Sequence, residues 1–376
     1  MDSGTYESDD DGVLCFRPVV PRLPALEDVH DAVDHALRRL RDFDRLLGEW
    51  PRPGSIERLF ARLDAVHSSG AEGSTTTFTD LMEFETSARV AKDLDDAEGV
   101  AACAAAFEAE GDSVGDLLAV TLRMHRRLFE RARNRMISVE AGRWKSRRNA
   151  TPDQEARGGH FFYTRPRSVP AAMEEWSGFT MAADPRVPEI LRQALSHWMF
   201  EHIHPVADGN GRIGRLLVPL GLKIKGTLKH ACAFFGEAVH EDKQLYVEAL
   251  KIARISGDLT SWSRLFMALI SRTAERNIGR INALHDLERK WRNATTSFRS
   301  DSMVHQLVRL ALTRPAFTIQ DALHDIGGTF ASVNTAASYL VEAGILTVPS
   351  QAKRNRLFVA GEVLAIFDRF HADPPR

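Results

Sequence analysis

The sequence predicts a mainly α-helical protein with one short β-hairpin in its middle and a second near its C-terminus. Apolar residues recur at helical spacing through most of the chain, whereas candidate strands are few, short and bounded by proline or glycine. The chain has 376 residues, of which 44% are hydrophobic. At roughly 100–200 residues per domain, this length predicts two or three domains, each with its own core.

Composition and charge exclude several classes of protein. The chain has 49 basic and 51 acidic residues, so its net charge of −2 argues against a protein that coats nucleic acid or binds a membrane surface. No stretch approaches the roughly 20 apolar residues of a membrane helix, and the acidic N-terminus lacks the apolar stretch of a secretory signal. Cys15, Cys103 and Cys232 are scattered, which excludes a disulfide framework and a clustered-cysteine zinc site. We therefore expect a soluble, cytoplasmic protein with no membrane partner.

The first third of the chain is predicted to be helical after a short tail. Residues 1–24 are acidic and then interrupted by prolines, so we expect a flexible acidic tail. Residues 25–135 form an N-terminal helical region, beginning with apolar residues at helical spacing such as Val29, Val33 and Leu40. The glycines and hydroxyl residues of Ser68–Thr77 break this pattern and by composition favour a loop.

The middle of the chain, residues 136–275, is predicted to form a helical core with a hairpin flap. A basic, polar segment from Arg143 to Gly159 precedes Phe161, Phe162 and Tyr163, and this short, aromatic, proline-bounded pattern is typical of a hairpin. A helix follows over residues 188–203, another begins near Arg212, and further helices cover about 241–256 and 260–284. Residues 276–300 would form a linking helix.

The last segment, residues 301–376, has the element order of a winged helix. Three short helical patterns are followed by a strand starting at Gly344, a basic turn and a second strand at 357–359. The Glu-Ala-Gly-Ile-Leu ending of the third helix, residues 342–346, also resembles that family. This third helix has no lysine or arginine, although Lys353, Arg354 and Arg356 lie in the turn. Because DNA readers need cations for phosphate contacts, we favour a protein-binding or structural role over DNA binding.

The most informative stretch is His-Pro-Val-Ala-Asp-Gly-Asn-Gly-Arg-Ile-Gly-Arg, residues 204–215. It contains a G-x-G-x-x-G pattern, but a dinucleotide site needs a preceding strand and here a helix precedes it. It also resembles the start of a calcium loop, but Arg212 and Pro219 stand where ligand oxygens are needed. We exclude both interpretations.

What remains is a helix, a glycine-rich loop and a second helix, which together favour an anion site. The unpaired N–H groups at a helix N-terminus and the helix dipole both favour negative charge. Arg212 and Arg215 are three residues apart, so they repel each other unless an anion lies between them. Triphosphate fits such a site. Asp208 could hold Mg²⁺ beside phosphate oxygens, and His204 offers a base that titrates near neutral pH.

This stretch resembles the signature of Fic proteins, H-x-F-x-(D/E)-G-N-G-R-x-x-R. The single departure is Val206, where the family usually has a core-packing phenylalanine, which leaves the chemistry intact but can loosen how the loop is held. The resemblance extends over about residues 68–269, and many family members also carry a C-terminal winged helix. It implies a Fic helical core with a β-hairpin flap.

The resemblance implies transfer of AMP from ATP to a Ser, Thr or Tyr hydroxyl of a protein. His204 would be the base and Asp208 the Mg²⁺ ligand. The phosphates would be bound by the glycine-rich loop and the two arginines, namely Gly209, Asn210, Gly211, Arg212, Gly214 and Arg215. Tyr246 matches a position beside the adenine. Phe161, Phe162 and Tyr163 would form the flap along which the target segment docks as an added strand.

The hydroxyl-rich break resembles the family's inhibitory motif, (S/T)-x-x-x-E-(G/N), through Ser68, Glu72 and Gly73. In that reading Glu72 pairs with Arg215 and obstructs seating of the γ-phosphate. Gly70 within the motif is a poor helix former, which predicts a weak inhibitory helix.

The partners implied are therefore ATP, a target protein and the chain itself, and the sequence leaves open whether it forms a homodimer. Three alternatives remain open at this stage. The chain could be a DNA-associated regulator whose Fic core senses nucleotide, it could transfer another nucleotide, or it could remove AMP.

Overall fold

The computed structural model describes residues 3–86, 94–110, 116–130, 141–156, 158–230, 232–349 and 356–369. The helices within these ranges are α1 (Leu26–Glu49), α2 (Pro53–Gly70), α3 (Phe78–Glu85), α4 (Leu94–Glu110), α5 (Leu117–Phe129), α6 (Val169–Met181), α7 (Glu189–Ile203), α8 (Asn210–Ile224), α9 (Gly236–Glu241), α10 (Lys243–Ser256), α11 (Thr260–Ala294), α12 (Met303–Thr313), α13 (Ile319–Ile326), α14 (Phe330–Glu342) and α15 (Gly361–Arg369). The strands are β1 (Gly4–Ser8), β2 (Leu14–Pro18), β3 (Ala150–Pro152), β4 (His160–Phe162), β5 (Ala316–Phe317) and β6 (Phe358–Val359), and one turn of 3-10 helix covers Pro166–Ser168. The prediction of a mainly α-helical protein is confirmed.

Helix α11 is the long central helix against which many of the others pack. Its 35 residues span about 52 Å at 1.5 Å per residue, and it packs against α1, α7, α9, α10, α12 and α15. Residues 275 and 276 both lie inside this helix, so the predicted boundary between a core and a separate linking helix does not correspond to a break in structure. No helix in the described part of the chain is long and apolar enough to cross a bilayer.

The prediction of a flexible tail over residues 1–24 is wrong, because much of this segment forms two strands that pack on the core. Strands β1 and β2 pair antiparallel as a hairpin, and Cys15 and Phe16 are buried. The hairpin's acidic residues are neutralised by distant cations: Glu7 pairs with Arg165 at 2.8 Å, and Asp9 and Asp11 both pair with Arg148. Acidic composition suggested a solvated tail, and these partners lie far along the chain.

Two glycine-containing sequences also differ from expectation. The helix α2 continues through Ser68, Ser69 and Gly70, so the predicted loop starts only after Gly70. The strand expected from Gly344 is reduced to a single bridge between Thr347 and Val359. The middle hairpin is present as predicted, with β3 and β4 antiparallel.

The C-terminal segment has the order α12, β5, α13, α14, β6, α15. The capping boxes at Thr318 and Thr329 begin α13 and α14. Of the three cations expected in the turn, Lys353 and Arg354 lie outside the described residues, and Arg356 donates to Asn334 Oδ1 at 2.7 Å. Helix α15 returns to the N-terminal region, where Phe367 stacks on Phe78 with ring centroids 4.8 Å apart.

Candidate functional site

The loop 204–209 lies between two tightly packed helices. Helix α7 ends at Ile203 and α8 begins at Asn210. Gly214 permits the close approach of these helices, because a Cβ there would lie 2.5 Å from Glu201 Oε1 and 3.2 Å from the His197 ring. The loop enters α8 through Gly209, whose φ of 78° lies in the left-handed region, and a Cβ there would also crowd Leu128.

Asn210 closes the loop with its side chain. Its Oδ1 accepts the Val206 N–H at 3.0 Å and its Nδ2 donates to the Val206 carbonyl at 2.8 Å. Asn210 therefore can contribute its backbone N–H to an anion, but its side-chain amide is already engaged. The Asn210 bonds hold Val206 through its backbone, and Val206 itself is fully buried.

A second segment, residues 145–149, supports the same loop and was not singled out by the sequence. The Lys145 N–H donates to Pro205 O at 2.9 Å, and its ammonium donates to Ile203 O at 3.3 Å. Asn149 Nδ2 donates to the carbonyls of Val206 and Ala207. A basic, polar stretch is usually a solvated surface, so no local signal identified these contacts.

His204 is held in an unusual conformation at the end of α7. It has φ 52° and ψ 61°, the only positive φ among the described non-glycine residues. Its ring stacks on Tyr163, with centroids 4.0 Å apart, and its Nδ1 lies 3.2 Å from the Glu201 carbonyl. Because a carbonyl can only accept, Nδ1 carries the proton and the lone pair is on Nε2. Burial, reinforced by the charge of Lys145, lowers the pKa of His204 to about 3, so the ring is neutral at pH 7.

The N-terminus of α8 presents backbone donors with no side-chain cap among the described residues. The first N–H groups of a helix lack intrahelical partners, so those of Asn210, Gly211 and Arg212 are available for an anion. Asp208, just before them, accepts the Gly209 N–H at 2.6 Å, and its side chain is 47% exposed.

Arg212 and Arg215 point to different neighbours. The Arg212 guanidinium lies 5.4 Å from the centroid of Phe129 and 4.0 Å from Asp208 Oδ1, and within the described part of the chain its buried Nε has no hydrogen-bond partner. Arg215 is 2% exposed and turns toward the end of α2. The predicted repulsion is thereby reduced in the absence of an anion.

Arg215 makes three hydrogen bonds to the 68–72 segment. Its Nε donates to Ser68 Oγ at 2.7 Å, and its Nη2 donates to Ser68 O at 2.9 Å and to Glu72 Oε1 at 2.8 Å. Burial opposes ionisation of Glu72, but Arg215 outweighs it and holds the pKa of Glu72 below its usual value. Burial would also lower the pKa of Arg215, but Glu72 raises it above its usual range. Both groups are therefore charged at neutral pH.

Two glycines make this contact possible. A Cβ at Gly211 would overlap with Glu72 Oε1, so the carboxylate lies directly over the first turn of α8. Gly73 has φ 103°, a conformation that ends the turn after α2 and that residues with a side chain rarely adopt. The carboxylate of Glu72 thus occupies part of the space beside the α8 donors.

Glu201 is a further titratable group at this site that sequence analysis missed. Its side chain is 11% exposed, and its Oε1 has no hydrogen-bond partner among the residues that the structure describes. Burial raises the pKa of Glu201 to about 7, although Arg215 opposes this rise.

Tyr246 lies behind α8 and is 4% exposed. Its hydroxyl is 2.7 Å from His197 Nε2, and His197 Nδ1 is 3.1 Å from the Gly214 carbonyl. Burial raises the pKa of the Tyr246 hydroxyl well above its usual range. This placement supports a packing role and does not support the predicted adenine contact.

The three flap residues have different surroundings. Phe161 is buried against Phe16, with the Arg254 guanidinium 4.0 Å from its ring centroid. Phe162 is partly exposed beneath Arg148, and Tyr163 covers His204. The residues of β3 are exposed, so its outer edge is accessible for strand addition.

A cavity of about 1,270 Å³ lies elsewhere, between the start of α2, the end of α5 and the C-terminal segment. Its lining includes Arg58, Arg127 and Arg309 and none of the predicted site residues. The chemistry suggested by the 204–215 motif therefore belongs to the surface over α8 rather than to this cavity.

The part of the chain that carries this site is similar to known proteins. Residues 118–222 match the Fic/DOC family, a range that includes α7, the loop and most of α8. Protein adenylyltransferase Fic from Nematostella vectensis is 27% identical over 172 residues, which are 46% of this chain and 34% of that protein. The chain thus matches about a third of the length of this curated relative.

Two solved structures share the fold. A Fic family protein from Desulfovibrio desulfuricans has a TM-score of 0.57 at 16% identity and covers 90% of this chain and 98% of its own. A Fic-1 structure from C. elegans has a TM-score of 0.51 at 21% identity, with 68% and 75% covered.

Proposed function

We propose that this chain, through its Fic/DOC domain, transfers AMP from ATP to a hydroxyl side chain of a protein, and that Glu72 restrains the transfer. The observation that carries the proposal is the segment 204–215, the loop and the first turns of α8. It brings together a neutral histidine, helix N–H groups without intrahelical partners and a buried arginine. The name of the Nematostella relative supports AMP transfer in general.

His204 would act as the general base. Its Nε2 lone pair is free to accept the hydroxyl proton, since Nδ1–H is bonded to the Glu201 carbonyl. The hydroxyl oxygen would form a bond to the α-phosphorus, the bond to the β-phosphate oxygen would break, and pyrophosphate would leave. Positioning and charge neutralisation supply the catalysis in such reactions, with little covalent work for the protein.

The α8 N-terminus would hold the phosphates. Its first-turn N–H groups would face the developing negative charge. The buried Nε of Arg212, which has no partner among the described residues, could donate to an anion. Arg215 would bind the outer phosphates once Glu72 has released it.

Asp208 fits a Mg²⁺ ion shared with the substrate. Among the described residues no group of three or more His, Cys, Asp or Glu side chains could hold a metal, so a site made by protein alone is not indicated. A single, half-exposed carboxylate beside a phosphate site is the arrangement in which Mg²⁺ keeps waters and binds phosphate oxygens. When bound, Mg²⁺ would neutralise phosphate charge.

Glu72 would restrain the reaction by occupying both Arg215 and the space over Gly211. A ligand that needs this guanidinium must first break the Glu72 bond. Glu72 and the outer phosphates of ATP would therefore compete for the same space and for the same guanidinium.

The test is incubation of the protein with Mg²⁺ and ATP labelled on the α-phosphate. The Glu72→Gly variant should incorporate label into itself or into proteins of a lysate, and the intact mass of the product should rise by one AMP. The matched control is Glu72→Gly combined with His204→Ala, which should bind ATP but incorporate no label. Absence of label in the Glu72→Gly variant, or equal label in the control, would contradict the proposal.

A further inference from the structure

Lys145 binds the backbone on both sides of His204. Its ammonium donates to the carbonyl of Ile203 at 3.3 Å, and its own N–H donates to the carbonyl of Pro205 at 2.9 Å. The residue is 3% exposed. The side chain and the peptide N–H of Lys145 therefore hold the carbonyl groups of the two residues that flank the histidine.

His204 needs such support because its backbone conformation is unfavourable. A non-glycine residue with φ 52° is strained, and this conformation persists only where the surroundings hold it. The N–H of His204 bonds to Phe200 O at 2.9 Å, which ends α7, but the Ile203 carbonyl belongs to the last turn and has no partner within the helix. The Lys145 ammonium satisfies this carbonyl and places positive charge at the negative end of the helix dipole.

The buried position of Lys145 lowers the stability of the fold, so stability does not explain why a lysine is found there. Among the described residues no carboxylate forms an ion pair with it, and the buried thiol of Cys15 on β2 interacts with its charge. Burial lowers the pKa of Lys145 to about 7. A buried cation without an ion partner destabilises a fold, and such residues concentrate at functional sites.

We propose that Lys145 is the positioning residue for His204, holding the left-handed turn that directs Nε2 toward the α8 N-terminus. This inference rests on the proposed role of His204 as the base, and it assigns to the segment before the flap a function that the 204–215 motif does not contain. Lys145 does not touch the reacting atoms in this assignment.

The charged and titratable groups around His204 come from every neighbouring element. Tyr163 stacks on the ring from the flap, Glu201 and His202 come from α7, Glu72 from the turn after α2, and Lys145 from the segment before β3. Burial lowers the pKa of His204 most, Lys145 and His202 lower it further, and Glu72 raises it. Loss of Lys145 should therefore make His204 more basic while it releases the turn.

The change in the basicity of His204 and the release of its turn distinguish a positioning role of Lys145 from a purely electrostatic one. If Lys145 acted through its charge alone, removing it would raise the basicity of His204 and leave the rate unchanged or higher. If it held the turn, the rate would fall although the base had become stronger. A purely structural residue would change stability and leave both properties of His204 unaltered.

The experiment uses the Glu72→Gly protein as the parent, in which AMP transfer is expected to be measurable. Lys145→Met should lower kcat by about 10- to 100-fold with KM for ATP within about twofold, because small misplacements of a reacting group have effects of this size. NMR of the His204 ring, assigned by comparison with His204→Ala, should show a raised pKa and partial loss of the Nδ1–H form. Lys225→Met is the matched control, since Lys225 also donates to backbone carbonyls but at the far end of α8.

An unchanged kcat with an unchanged Nδ1–H form in Lys145→Met would overturn the proposal. If Lys145→Met does not fold, Lys145→Arg decides the matter, because it keeps a cationic donor: it should retain the Nδ1–H form and a kcat above one-tenth of the parent. A folded Lys145→Arg protein that loses the Nδ1–H form but keeps its full kcat would also contradict the proposal. The ring titration needs no activity, so failure of AMP transfer in every variant, parent included, would contradict the proposed function separately.

Discussion

The Arg215 guanidinium has unequal partners: Ser68 binds it at two atoms, whereas Glu72 binds it once. The Glu72 side chain is also 43% exposed, so solvent screens its charge. A charge-assisted hydrogen bond contributes about 1.5–3 kcal/mol, and we take the lower end for this exposed partner. Glu72 would therefore reduce the fraction of protein in which Arg215 can bind phosphate, without preventing that binding entirely.

We predict that Glu72→Gly raises the rate of AMP transfer by at least about tenfold, since 1.4 kcal/mol corresponds to a factor of ten in population. The fold should survive, because residue 72 lies beyond the end of α2. The rate of label incorporation and the thermal midpoint of the two proteins are the measurements. An unchanged rate in a folded variant would show that the Glu72 bond does not limit the reaction.

Ser68→Ala should raise the same rate by roughly threefold to tenfold. It removes the Oγ acceptor of Arg215 and leaves the backbone carbonyl bond in place, a loss of about 1 kcal/mol. Ser69→Ala is the matched control, because Ser69 is also buried on α2 but its Oγ has no hydrogen-bond partner in the described ranges. A rate equal in the two variants would argue against Ser68 as part of the restraint.

At the scale of elements, helix α2 differs from what its glycine suggested. Gly70 was expected to weaken the inhibitory helix, but α2 extends to this residue, and a Cβ there would overlap with the His240 ring of α9. The glycine therefore permits α2 and α9 to pack closely, and its low helix propensity is offset by that contact.

Gly70→Ala should consequently lower the free energy of unfolding, although alanine is the better helix former. Adding His240→Ala opens space for the new methyl group, so the alanine should cost less in that background. Urea unfolding of the wild type, both single variants and the double variant measures the coupling between the two positions. Additive effects would mean that the His240 ring moves aside freely.

The N-terminal hairpin and the flap form a second pair of coupled elements. Phe16 of β2 lies 5.8 Å from Phe161 of β4, measured between ring centroids, and the Thr164 hydroxyl donates to the Phe16 carbonyl at 3.1 Å. The residues that support the flap therefore come from the first strands of the chain, a region whose composition suggested solvent exposure.

At the scale of the whole molecule, three histidines with lowered pKa values make stability depend on pH. Burial lowers the pKa of His197, His202 and His204 to about 3 in each case, against a usual value of 6.5. The unfolded chain therefore binds protons below pH 6.5 while these folded groups stay neutral. Their contribution to stability is present above pH 6.5 and is lost progressively as the pH falls toward 3. Glu201, whose pKa burial raises to about 7, acts in the opposite direction.

His202 is suited to test this, because it is 4% exposed and packs among Trp198, Phe16 and Phe161 rather than in the loop. His202→Phe loses the hydrogen bond to Trp198 O and should be less stable than the wild type at pH 7.5. Its disadvantage should shrink by about 2–3 kcal/mol by pH 4.5, where the unfolded wild type gains a proton that the variant cannot. Urea midpoints at both pH values measure this, and a disadvantage independent of pH would mean that folded His202 titrates normally.

The sequence alone determined the helical class, the middle hairpin and the position of the glycine-rich loop between α7 and α8. These follow from local physics, since apolar periodicity specifies a helix face, and glycines before a helix start expose N–H groups whatever the rest of the chain does. The pairing of Glu72 with Arg215 was also anticipated, but through a family resemblance.

The tertiary structure alone decided which groups meet across long separations. It gave the acidic N-terminal strands their arginine partners, turned Tyr246 toward His197, and placed Lys145 beside His204. None of these contacts leaves a local pattern, because charge pairing and burial depend on residues 49 to 158 positions apart. The local sequence around a polar residue such as Lys145 does not predict whether its side chain will face water or donate to a carbonyl at the end of a helix.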